Sequence, residues 1–214
     1  MKRIFLFSIL FVLLGSIPTD AAVRIRTIKG SGVMRTETRE VESYTGLKVS
    51  RGVTASLTES TPGKLVVEAD EKIIAYVTTT VDNEGVLVLS IDPVVTNIRN
   101  CAVRISVPKP EKMESLTATS GATATCRTVV TTPMLNVRAT SGARIEIACE
   151  GGGCTLSATS GSEIKANLSV DRCAIETHSG AEVSAKGVAA ECKISAKSGA
   201  SCKARNLLTE RTEA

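Results

Sequence analysis

The chain has 214 residues, a formal net charge of +4, seven cysteines, no Trp, three Phe, two Tyr and one His. All three Phe (Phe5, Phe7, Phe11) fall in the first eleven residues, which excludes a core built around aromatic anchors. The positive charge is small and interleaved with acidic residues, so the clustered basic face and stacking rings of a nucleic-acid binder are absent.

The first predicted element is a leader over residues 1–22. Lys2 and Arg3 precede an apolar run, Ile4 to Leu14, broken only by Ser8. Gly15, Pro18, Ala21 and Ala22 then suit cleavage after one of the two alanines. The run is too short to span a bilayer, and no later stretch approaches the roughly 20 apolar residues of a spanning helix. Export to the periplasm, cell surface or medium is therefore expected, with no transmembrane segment after leader removal.

Residues 23–112 read as irregular β coils. Leu47 to Glu59, Lys64 to Ala69, Ile73 to Val81, Gly85 to Ile91 and Cys101 to Pro108 are strand-like, with turn residues at Pro62-Gly63 and at Asp82 to Gly85. A separate small β domain is the alternative for this stretch.

Residues 113–206 repeat. Ser-Gly pairs stand at Ser120-Gly121, Ser141-Gly142, Ser160-Gly161, Ser179-Gly180 and Ser198-Gly199, at spacings of 21, 19, 19 and 19. A fixed period near twenty residues marks a solenoid whose units bury their faces only against one another. Within each unit the period is two. Leu135, Cys154, Cys173 and Cys192 stand six residues before the serines, and Leu116, Val137, Leu156, Ile175 and Ile194 stand four before. Ala124, Ile145, Ile164, Val183 and Cys202 stand four after. Odd positions carry Arg138, Arg144, Glu163, Lys165, Glu176, Glu182 and Lys203. That alternation is a strand with one face in the core and one in water, and it excludes helix. The fold class is all-β, a parallel β-solenoid of single-stranded coils. The glycines are expected to supply the bend, and the serines to donate hydrogen bonds to the next coil's backbone. Residues 207–214 read as a polar C-terminal cap or tail.

The segments GSGVMRTETREVESYTGLKVSRGVTASLTE, KLVVEADEKIIAYVTTTVDNEGVLVLSI and VRISVP, followed by the serial ATSGA copies, resemble the putative auto-transporter adhesin, head GIN domain family over roughly residues 28 to 206. The resemblance implies a right-handed β-helix of the kind common in exported proteins of Bacteroides-like bacteria, and it implies no catalytic residues. The chain departs from an autotransporter in ending at Thr212-Glu213-Ala214 with no translocator barrel or stalk heptads. It is not expected to carry itself across an outer membrane.

Candidate chemical groups are few. An odd number of cysteines in an exported chain leaves at least one without an intrachain partner. Cys154, Cys173 and Cys192 are expected as a buried row of small apolar side chains. Cys149 and Cys154, flanking Glu150-Gly151-Gly152-Gly153 read as a flexible loop, are the best disulfide candidates. No Cys-x-x-Cys occurs and His178 sits at a solvent-facing position, so neither a metal site nor a nucleophilic triad is expected. No cofactor is expected either. Arg144, Glu163 and Glu182 share one outward row, Glu146 and Lys165 another, as exposed ion pairs between coils. Thr119, Thr140 and Thr159 form the flattest outward row. The leading functional reading is a non-catalytic binding module for an envelope or host protein or polysaccharide, with no nucleic-acid partner. A polysaccharide-active enzyme and a scaffold that self-associates through open solenoid ends are the alternatives. Tight 19-residue units leave no room for the inserted loops that line an enzyme cleft on such a fold.

Overall fold

The computed structural model describes residues 26–213, and the expected leader over 1–22 lies outside them. Nine strands form the N-terminal half: β1 (Arg26–Lys29), β2 (Met34–Glu40), β3 (Gly46–Val49), β4 (Thr54–Thr58), β5 (Lys64–Asp70), β6 (Val77–Val81), β7 (Val86–Ile91), β8 (Val95–Arg99) and β9 (Val103–Pro108). Seven follow: β10 (Ser115–Ala118), β11 (Thr123–Thr132), β12 (Leu135–Ala139), β13 (Arg144–Ala158), β14 (Glu163–Thr177), β15 (Glu182–Ala196) and β16 (Ser201–Glu213).

In the C-terminal half every pairing is parallel and, outside bulges in β11 and β16, in register with the repeat. Leu116 pairs with Val137, Val137 with Leu156, Leu156 with Ile175 and Ile175 with Ile194. Each coil is one arm entering the Ser-Gly corner and one arm leaving it. Residues at the even positions are buried until the last coil, where Ile194 and Cys202 are half-buried and Ala196 is exposed. The reason is position: a coil buries its inner face only against neighbours, and β16 pairs with β15 alone. The inner residues join one continuous apolar cluster running from Tyr44 to Leu207. Full burial of each Leu, Ile or Val in it contributes about 1.5–3 kcal/mol. The chain is a β-solenoid.

The corners show why the repeat is Ser-Gly. Both residues have positive φ at every copy, 52–56° for Ser and 67–71° for Gly. Two consecutive positive values define a primed turn, in which Gly is free of strain and a small polar residue is tolerated. The Gly142 N–H donates to the Ser160 carbonyl at 3.1 Å and the Gly161 N–H to the Ser179 carbonyl at 3.1 Å. The hydrogen-bond ladder at the corner is therefore made by serine carbonyls accepting, not by hydroxyls donating as the sequence suggested. The Ser120 and Ser141 hydroxyls instead lie 3.4 Å from those of Thr119 and Thr140. Arg51-Gly52 has the same two positive φ values, 58° and 75°, and the Gly52 N–H donates to the Ser120 carbonyl. Residues 46–58 are thus one more coil of the stack, with Arg51 in the place of the repeat's Ser.

The single 21-residue spacing also has a local cause. Thr125 pairs with Glu146 and Val129 with Ala148, so Cys126, Arg127 and Thr128 together face Ile147. Two extra residues bulge out of β11 at that point.

The N-terminal half corrects the expectation of coils of one kind. β3 and β4 pair in parallel with β7 and β9, continuing the stack. Beyond them β5 runs antiparallel to β9, β2 antiparallel to β5, and β6 antiparallel to β7. Antiparallel strands close this end of the solenoid. The strand expected from Ile73 begins as a 3-10 turn, Ile74–Tyr76, and becomes extended only at Val77. Two polar groups fix the closure. The buried Tyr44 hydroxyl donates to the Pro108 carbonyl, and burial pushes its pKa up. Asp70 accepts from the Lys72 N–H at 3.0 Å and the Gly32 N–H at 2.8 Å, which holds its carboxyl below the usual range.

The polar tail expected at 207–214 is strand. Leu207 pairs with Gly187 and Glu213 with Lys193, and Leu207 is buried. Glu150 to Gly153, expected as a loop, also lie inside a strand, β13. Gly151, at φ +133°, is there because a Cβ would sit 2.1 Å from the Thr132 carbonyl oxygen of the preceding coil. This is close backbone approach rather than flexibility.

Candidate functional site

The arms leaving the Ser-Gly corners turn a second bend, and along it lies a groove of about 980 Å³ running over four coils. Three rows build it. Glu146, Lys165, Ser184 and Lys203 stack in register along one wall. Asn167, Lys186 and Asn206 stack along the other. Between them runs a buried floor of small or aliphatic residues, Ile147, Ala166 and Ala185. The alternation of the strand puts the wall residues outward and the floor inward.

A bulge bounds each end of the groove. At one end is the β11 bulge that carries Cys126. At the other, Ser184 pairs with Lys203 but Lys186 pairs with Asn206, so Ala204 and Arg205 together face Ala185. The extra residue brings Arg205 into the lining. The lining thus holds four cations, Lys165, Lys186, Lys203 and Arg205, against one carboxylate, Glu146. Lys165 pairs with Glu163 at 3.0 Å and Lys203 with Glu182 at 2.7 Å. Glu163 also meets Arg144 at 2.7 Å, and its carboxyl is held below the usual range, chiefly by the Lys165 hydrogen bond. Lys186 and Arg205 have no carboxylate partner among the described residues.

The outward rows read from the sequence are in register, and Arg144 meets Glu163 between coils, but Glu146 and Lys165 form no ion pair because Lys165 meets Glu163 of its own coil instead. Only the Glu146 and Lys165 row lines the groove, and the sequence did not single out Asn167, Lys186, Arg205 or Asn206. The signal for Asn167, Lys186 and Arg205 was an outward polar position seven residues after each serine in the last three coils; Asn206, eight after Ser198, takes its place only through the bulge in β16. The Thr119, Thr140 and Thr159 row lies at the Ser-Gly corner, half-buried and away from the groove. His178 continues that row, half-exposed, with its backbone N–H donating to the Ala158 carbonyl at 3.0 Å.

The cysteines gather inside the coils. Cys154 pairs in register with Cys173, and Cys173 with Cys192, all buried. Cys149 and Cys154 are both free, buried thiols. The interaction between them holds the pKa of Cys154 up and that of Cys149 down. Cys126, on the groove floor, is pushed up to about 12 by burial. Among the described residues no group of three or more His, Cys, Asp or Glu is gathered to hold a metal ion. No described helix is long and apolar enough to cross a membrane.

Comparison with solved structures gives the same architecture. A protein described as a putative lipid binding protein from Parabacteroides distasonis superposes with a TM-score of 0.77 at 14% identity, covering 87% of this chain and 80% of its own. A putative adhesin from the same species also gives 0.77, at 16% identity, with 87% and 79% covered. A putative adhesin from Bacteroides fragilis gives 0.51 at 15% identity, with 87% and 99% covered. At such identities the likeness is one of fold. No curated protein matches the sequence. The family described as "Putative auto-transporter adhesin, head GIN domain" matches residues 43–214, and the chain belongs to that family.

Proposed function

We propose that this protein is an exported, non-catalytic binding module of adhesin type that holds an extended polymer against the side of its solenoid. The observation that carries the reading is the groove over four coils. It follows the solenoid axis, its walls are polar rows in register, and its floor is flat because the inner positions are Ile and Ala. A stacked fold offers partners an extended face of this kind. The family name and the adhesin and lipid-binding descriptions of the structural neighbours agree with a binding role. The enzyme alternative has less support in the lining, which holds one carboxylate, whereas glycoside hydrolysis uses a pair.

Native electrophoresis of the expressed chain through gels containing neutral or acidic polysaccharides tests the reading, with reducing ends assayed in the same gels. Retarded migration without new reducing ends is the expected result. New ends would make the protein an enzyme, and unretarded migration in every gel would remove the polymer-binding role. Location is tested by protease treatment of intact cells against cells with an opened outer membrane. Digestion on intact cells is expected of an adhesin. Protection until the membrane is opened leaves a periplasmic binding role.

A further inference from the structure

We propose that the groove takes an acidic polysaccharide, with its anionic groups on the lysines and Arg205 and its hydroxyls on the intervening amides and Ser184. The inference rests on the polymer-binding reading above and adds the ligand's chemistry.

The positions of the cations carry it. Successive coils are about 4.8 Å apart along the axis. Lys165 stands on the first wall of one coil, Lys186 on the second wall of the next, and Lys203 on the first wall of the coil after. Three successive coils thus carry one lysine each, alternating between walls in a zigzag with a rise of about 5 Å; Lys165 and Lys203 are ion-paired at the rim with Glu163 and Glu182, while Lys186 is not. An extended chain that presents an anion at every unit, on alternating sides, matches that zigzag. Arg205 strengthens its last step, because the bulge in β16 delivers a planar donor fork suited to a carboxylate or sulfate.

Neutral donors lie between the charges. Lys186 is flanked along its wall by Asn167 and Asn206, and Lys165 and Lys203 are separated by Ser184. Amide and hydroxyl groups among cations suit a ligand rich in hydroxyls as well as charge. A single-stranded nucleic acid would want stacking rings, and neither Tyr44 nor Tyr76 lines the groove. An acyl chain would want an enclosed apolar cavity, whereas this floor is one row wide between exposed polar walls.

The test is binding of the expressed chain to a polyuronate, a sulfated glucan, neutral dextran, phosphatidylglycerol vesicles and a single-stranded oligonucleotide, each at low and high salt. The expected result is retention by the polyuronate or sulfated glucan that weakens with salt. Affinity falls about tenfold or more in the Lys186→Ala, Arg205→Ala double variant. Arg138→Ala removes an exposed charge from the opposite arm and leaves affinity unchanged. All three positions are exposed, and matching thermal melts confirm that the variants fold. Equal losses in Arg138→Ala and the double variant overturn the site. Preferred binding of vesicles or oligonucleotide overturns the ligand class. Salt-insensitive binding of dextran overturns this inference alone and leaves the polymer-binding reading standing, whereas no binding to any probe removes both.

Discussion

At Gly151 and Gly187 the backbone passes so close to the preceding coil that a methyl group has nowhere to go. A Cβ at either residue would lie 2.1 Å from a carbonyl oxygen, that of Thr132 or of Leu168, and both residues have positive φ. The corner glycines differ. A Cβ on Gly142 meets nothing within 4 Å, so only its φ of +71° opposes a side chain. Gly142→Ala is expected to cost about 1 kcal/mol and Gly187→Ala on the order of 3 kcal/mol or more. In a domain of this size these amount to melting-point losses of roughly 2–4 °C and about 10 °C, read by circular dichroism. Equal losses would mean that the second bend relaxes around the added carbon. The sequence hid this distinction. Glycine punctuates chains, so Glu150 to Gly153 read as a loop, although each glycine there makes room for a neighbouring coil.

At the scale of the strand, alternation was legible and pairing was not. Leu135, Leu156 and Ile175 fall on the buried face that period two assigns them. The same period describes parallel and antiparallel neighbours equally well, so β2, β5 and β6 could pass for further coils until their partners were known. Bulges were hidden for a related reason. Counting by nineteen sets Arg205 beside Lys186, whereas the extra residue in β16 gives that place to Asn206 and turns Arg205 into the groove. Within β13, Cys149 and Cys154 are buried thiols on either side of Glu150 and three closely packed glycines, and each shifts the pKa of the other. Folding in a glutathione redox buffer is expected to join them, with two protons and two electrons passing to the oxidised glutathione. The intact mass then falls by two hydrogens, and Cys149 and Cys154 escape alkylation in denaturant without reductant. Alkylation of both would show that the pair stays open.

Across the whole molecule the two ends differ. Antiparallel strands cover one, while the last coil at the other buries its inner face on one side only. A stack of this kind has a stability that is close to a sum over coils and their interfaces. Leu156, fully buried in mid-stack, is expected to lose about 2–5 kcal/mol on truncation to Ala. Ile194, in the half-covered last coil, is expected to lose less, under about 1.5 kcal/mol. Chemical denaturation measures both, and hydrogen exchange adds the gradient, with amides of β16 exchanging before those of β13. Uniform protection from β13 to β16 would indicate a last coil as firmly held as the middle ones.

The 19-residue unit sets more than stability. Each copy carries one primed corner, one wall position on either side and one floor residue, so inserting or deleting a copy changes the groove by one step of about 4.8 Å without touching the closed end. The footprint on the proposed polymer would then be counted in whole coils. Descendants of such a gene, gaining or losing units by recombination within the repeat, would read longer or shorter stretches of the same polymer, like rulers cut from one graduated strip.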